Sequence, residues 1–178
     1  MVTVRPATAG DAHAIGTIHV RTWQAAYDGL MPAEALAALD VDARATFWGR
    51  VVDSLTPPTG LLVAEVAGEI VGFASIGRYR PVVAAGDPAT VDAGQVYAIY
   101  VLPGQWSTGA GHALMQASVE HLTAHGFTDI RLWVLDTNER GRRFYERFGY
   151  TADGAEQLDD HLVAGPPLRE VRYCLRLG

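Results

Sequence analysis

The chain of 178 residues is short of several things, and each shortage removes a class of protein. It has one cysteine, Cys174, so no internal disulfide can hold it together. Cys174 falls in the alternating run "REVRYCLRL", which reads as a strand with the thiol as plain core, and no histidine motif accompanies it to make a nucleophile. No apolar stretch approaches the roughly 20 residues that a membrane helix needs, and no basic start leads into an apolar run. A soluble, cytoplasmic protein without a membrane partner is expected. Paired His or Cys ligands at short helical or turn spacing are missing, so no metal site is expected. Positive charge is also scarce: 14 Lys and Arg against 20 Asp and Glu leave a formal charge of −6. That balance argues against nucleic acid, whose binding relies on neutralising phosphates with cationic side chains.

What remains is a chain 49% hydrophobic and 19% charged, long enough for one well-filled core and too short for two ordinary domains. One domain spanning 1–178 is expected. "VTVRPA" reads as a strand, and "TAGD" (Thr8 to Asp11) offers a capping-box-like start to a helix running to about Asp28. Pro32 opens two short helices with a break around Asp40 to Asp42. "GLLVAEVAGEIVGFASIGRY" is a hairpin turning at Ala67 and Gly68, followed by the loop-like "RPVVAAGDPATVDAG". Strand, helix, strand and helix come next, and the tail from Tyr150 adds two strands. This order predicts an α/β (α+β) fold: a mixed, partly parallel sheet of seven strands flanked by about four helices.

The segment "LPGQWSTGAGHALM" sets Gly109 and Gly111 between a strand and an amphipathic helix. Bare backbone at a helix N-terminus is suited to phosphate, because unpaired N–H groups and the helix dipole point the same way. A tightly packed helix start explains the same residues equally well. The Lys and Ser/Thr of a P-loop are missing, and the three-glycine dinucleotide pattern is unmet. A second segment, "DTNERGRRFYERFGY", places Asn138 at a helix start and Tyr145 seven residues on, with Phe144 and Phe148 forming an adjacent apolar stripe. Two helix starts after neighbouring strands can hold one ligand between them.

In these two segments, and in "VRPATAGDAHAI" and "VAEVAGEIVGFASI", the sequence resembles the GCN5-related N-acetyltransferases (GNAT) over essentially its whole length. The resemblance implies a splayed central strand pair with acetyl-CoA in the gap. Its pyrophosphate would rest on backbone N–H groups of Trp106, Ser107, Thr108, Gly109, Ala110 and Gly111, and its pantetheine would pair along Ile99, Tyr100 and Val101. It also implies that Asn138 touches the pantetheine arm and that Tyr145 is the general acid for the departing thiolate. A tyrosine, with a pKa near 10, suits a leaving group of similar basicity. Arg143, with Arg140 and Arg142, is a candidate for the ribose phosphate, although a solvated cationic helix face explains at least two of them.

The sequence departs from the family pattern at Trp106, where Gln or Arg is usual, at Ser107, where glycine is common, and at Gln95, where the protein-lysine branch often has a catalytic Glu. Glutamine takes no proton at neutral pH, so no direct carboxylate base sits there. Tyr97, on the same side of the strand by alternation, is a candidate for ordering a water, with core packing the alternative. Asp92 is a weaker candidate. The resemblance places the acceptor near Trp23, Tyr27, Arg78, Tyr79 and His161, beside an acidic patch of Asp159 and Asp160; Trp23 also reads as a staple of its helix to the sheet. Arg78 or Arg80 would suit an acceptor bearing a carboxylate. The expected activity is acetyl transfer to a small-molecule amine, such as an amino acid, polyamine or amino-bearing antibiotic. The alternatives are a protein or peptide N-acetyltransferase and a non-catalytic acyl-CoA sensor. Pairing of two copies through the C-terminal strands is a further implication of the resemblance.

Overall fold

The hairpin follows from its residues. Gly60–Val66 (β2) is apolar at nearly every position and pairs antiparallel with Glu69–Arg78 (β3) across the expected turn. The computed structural model describes residues 1–159 and 167–178. Val2–Pro6 (β1) pairs with β2, Gly94–Val101 (β4) pairs with β3, and Asp129–Leu135 (β5) lies parallel to β4. Leu168–Arg176 (β7) lies between β5 and Thr151–Asp159 (β6), antiparallel to both. The sheet therefore has seven strands in the order β1-β2-β3-β4-β5-β7-β6, mixed as expected.

Five helices flank it, among them the two short ones expected after Pro32 with their break at Asp40. Ala12–Ala26 (α1) follows a 3-10 turn in which the Asp11 carboxylate accepts the Thr8 N–H (2.7 Å) and a two-pronged Arg5 (2.8 and 3.0 Å). Ala33–Ala37 (α2) is five residues long, and Val41–Asp53 (α3) begins where Asp40 caps the Ala43 N–H at 2.6 Å. Ala110–Ala124 (α4) and Glu139–Phe148 (α5) complete the set. Leu114, Met115 and Leu122 of α4 and Phe144, Tyr145 and Phe148 of α5 pack with Ile130, Leu132, Tyr150 and Tyr173 on one face of the sheet. Ile15 and Ile18 of α1 and Trp48 of α3 pack with Leu61, Val63 and Phe73 on the other. Gly16 lets α1 and α3 touch: a Cβ there would stand 2.7 Å from the Ala45 backbone nitrogen.

The chain contains no lysine, so arginine carries the ties of this framework. Arg172 of β7 bonds Asp87 (2.6 Å), Asp153 (2.8 Å) and the Tyr79 hydroxyl (2.9 Å), which also donates to Asp87 at 2.6 Å. The segment after β3 is thereby anchored to the far half of the sheet. Cys174 is buried as expected; burial and a hydrogen bond to Asp153 push its thiol up to about 12, so it is not a thiolate at neutral pH.

Candidate active site

The two parallel strands β4 and β5 are paired only at Gly94–Ile130 and Gln95–Arg131. Beyond that point they part, as expected, and a cleft of about 960 Å³ opens between them. The Leu102 N–H donates to the Val71 carbonyl at 2.9 Å. With Gly72 opposite Val101 and Ala74 opposite Ile99, antiparallel alternation turns the peptide groups of Ile99 and Val101 away from β3 toward the cleft. Those of Tyr100 face Phe73 in β3, so Tyr100 offers the cleft its side chain and not its backbone. The Val101 carbonyl already accepts the Trp106 indole N–H (2.8 Å) and the Thr22 hydroxyl (3.2 Å). Ile99 thus presents both peptide groups, and Val101 its N–H alone.

At the wide end, Ser107 and Gly109 both take left-handed backbone, with φ of 65° and 97°. No side chain caps α4, and the first N–H with an intrahelical partner in its opening turn is that of Ala113, bonded to the Gly109 carbonyl at 2.9 Å. The N–H groups of Ala110, Gly111 and His112 are left for a ligand. Trp106, Ser107, Gly109 and Gly111 line the cleft, and so does His112, which the sequence did not single out. The Thr108 hydroxyl turns back to the Gln105 carbonyl (2.7 Å) and Ala110 is buried, so neither offers a side chain there. The Trp106 ring lies under the Arg140 guanidinium at 3.8 Å. Arg143 reaches the rim but pairs with Glu139 one turn earlier, and Arg142 turns to the Asp136 carbonyl and the Tyr173 hydroxyl. Among the three candidates, Arg140 is therefore the cation set against the loop before α4.

Asn138 caps α5 by accepting the Gly141 N–H at 2.9 Å, which leaves its NH₂ group to donate. Tyr145 lines the cleft, with its ring 6.1 Å from Tyr150 and 6.3 Å from Tyr173. Burial, reinforced by nearby Tyr100 and Glu170, holds its phenol well above the usual value. It stays protonated across the physiological range.

At the narrow end the structure rearranges the expected set. Ser75 faces Ala98 and Ile76 faces Val96, so Tyr97 is the extra residue of a β-bulge. Its hydroxyl donates to the Arg78 carbonyl (2.5 Å), and the side chain lines the cleft. Buried Gln95 accepts the Arg80 N–H at 3.0 Å. Arg78 pairs with exposed Asp92 (3.1 Å) and stacks on Phe127, which takes both outside the cleft lining; Arg80 is the cation at this end. Trp23 is a core residue packed on Met31 and Leu36, while Tyr27, 5.2 Å from it, lines the cleft. Tyr79 is occupied with Asp87 and Arg172. Asp160 and His161 lie outside the described residues. Sequence reasoning missed Trp133, Gln157 and Glu170, all in the lining. Their strands were legible, but a period of two leaves open which member faces a ligand. Among the described residues, no three His, Cys, Asp or Glu gather as a metal site, and no helix is long and apolar enough to cross a membrane.

Residues 15–150 match the family model of the acetyltransferase (GNAT) family. The uncharacterized N-acetyltransferase YuaI of Bacillus subtilis is 32% identical over 172 residues, covering 96% of this chain and 91% of its own. A mycothiol acetyltransferase of Acidimicrobium ferrooxidans is 33% identical over 108 residues, which is 61% of this chain and 33% of that protein. In the solved structures, the PaiA N-acetyltransferase from Thermoplasma acidophilum in complex with coenzyme A superposes over 99% of both chains, with a TM-score of 0.71 at 15% identity.

Proposed function

Because the chain belongs to the acetyltransferase (GNAT) family, with acetyl-CoA as its cosubstrate, we propose that it moves the acetyl group directly onto a primary amine of a small molecule, with Tyr145 as general acid. One observation carries this reading: a single cleft reaches from the uncapped start of α4 past Tyr145 to the bulge at Tyr97. The chain acts as one acyltransferase domain, since that cleft draws residues from Thr22 to Glu170.

The residues present fit the cosubstrate. The free N–H groups of Ala110, Gly111 and His112 suit a pyrophosphate, and Arg140 adds a cation held in place by Trp106. Ile99 and Val101 offer strand-edge peptide groups to the amides of a pantetheine arm, and the Asn138 NH₂ group donates from the opposite wall. Acetyl-CoA held by these residues would supply the thioester whose carbonyl carbon the amine attacks. Fixing that carbon next to the amine supplies the proximity that direct transfer needs. Tyr145 keeps its proton in its apolar surroundings until sulfur develops negative charge, and then gives it up. Tyr27, Tyr100 and Trp133 wall the acceptor end, which suits a small amine more than an extended peptide.

The test is Tyr145→Phe, followed by CoA thiol release from acetyl-CoA over a panel of amines with a no-acceptor control. Turnover is expected to drop by a factor on the order of 10² to 10⁴, with acetyl-CoA affinity nearly unchanged. Unchanged turnover would remove Tyr145 from the mechanism.

A further inference from the structure

We propose that Glu170 receives the ammonium group of the acceptor and takes its first proton, an inference that rests on the acyl-transfer reading above. Glu170 is the one acidic side chain in the cleft lining among the described residues; four arginines, Arg80, Arg140, Arg143 and Arg147, share that lining. A cationic amine entering the cleft therefore has a single anionic side chain to meet there.

Its position is fixed by the sheet. β7 is an interior strand at this point, with Leu135 opposite Glu170 on one side and Gln157 on the other. Val171 and Tyr173, its alternating neighbours, pack into the core on the α4 and α5 face. Glu170 therefore projects from the opposite face, where Leu168 packs beside Tyr27 and Tyr100. Tyr27, Tyr100 and Tyr145 share the cleft lining with Glu170, and its carboxylate pushes each of their raised phenols further up. The Gln157 amide donates to one carboxylate oxygen at 2.6 Å and sets the plane of the group. Of the residues first considered for this task, Tyr97 donates to the Arg78 carbonyl and Asp92 pairs with Arg78 outside the cleft.

The step balances. The ammonium gives one proton to the Glu170 carboxylate, and the freed lone pair forms the C–N bond as the C–S bond breaks. Sulfur takes the Tyr145 proton, and the second proton lost from nitrogen restores the phenol through solvent. Glu170 returns its proton to solvent, so one proton is released per turnover.

The experiment compares two probes in the full chain: phenethylamine, an ammonium ion at neutral pH, and O-benzylhydroxylamine, which is uncharged there. In Glu170→Gln, phenethylamine turnover is expected to fall by a factor on the order of 10², while O-benzylhydroxylamine turnover is hardly changed. Melting temperature and acetyl-CoA affinity, measured by calorimetry, should match the wild type. Gln157→Leu, which removes the amide donor but keeps the carboxylate, should raise KM for phenethylamine alone. Equal losses with both probes in either variant assign Glu170 a structural role and overturn the proposal, as does full activity of Glu170→Gln. A wild-type protein that releases CoA with O-benzylhydroxylamine but not with phenethylamine also overturns it and leaves acyl transfer standing. Release with neither probe removes the acyl-transfer reading and this proposal together.

Discussion

Ser107 stands in left-handed backbone, φ 65°, where its Cβ crowds the following carbonyl. Ser107→Gly should raise stability by about 1 kcal/mol, because that crowding costs roughly 1–2 kcal/mol and glycine returns part of it as chain entropy. A melting temperature that falls instead would show that the serine contributes a contact outweighing its strain. At the acceptor end, Arg80 sits in the same lining as Glu170 and should repel the second charge of a diamine. Arg80→Ala is expected to raise kcat/KM for putrescine relative to phenethylamine, and an unchanged ratio would take Arg80 out of acceptor choice. Single residues differed greatly in how far the sequence betrayed them. The helix cap at Asn138 and the shared face of Tyr145 were legible from their spacing, whereas the roles proposed for them come from the family resemblance. Glu170 was not, because its partners Leu135 and Gln157 lie on strands that only the folded sheet brings alongside.

At the scale of elements, α5 starts on one side-chain cap, and its polar first turn contributes little packing of its own. Asn138→Ala should cost about 1 kcal/mol of stability and weaken acetyl-CoA binding besides, whereas Asn138→Asp should keep the cap and lose only the donor to the cosubstrate. Chemical denaturation beside calorimetric titration separates the two effects. Gly16 sets the contact of α1 with α3, so Gly16→Val should destabilise by roughly 1–3 kcal/mol as the helices are forced apart. The hairpin and all five helices were readable from periodicity, Pro32 and Asp40. The bulge at Tyr97 was not, since an extra residue exists only relative to the register of β3.

For the whole molecule, acid should act in two stages. Buried His19 accepts the Trp48 indole N–H at 3.1 Å, and burial lowers it from an ordinary 6.5 to about 3. Between those values the unfolded chain binds a proton that the folded one refuses, so stability falls as pH drops from 6.5 toward 3. Asp11, held at about 2 by Arg5 against an ordinary 3.8, gives a second loss as pH falls through that lower window. Melting temperatures across pH should show both limbs in the wild type, and His19→Gln should flatten the upper one alone. The sheet order legible in the sequence stopped at the number of strands: that β7 enters between β5 and β6 is set by long-range pairing, which local pattern does not carry. The all-guanidinium surface has its own consequence. An enzyme that handles a reactive thioester is exposed to acylation of its own amines, and lysine is the side chain at risk. Here the cationic side chains have no amine nucleophile, so intact mass after long incubation with excess acetyl-CoA at alkaline pH should gain no stable acetyl adduct beyond one at the α-amino group. The protein is built to be a poor acceptor for its own donor.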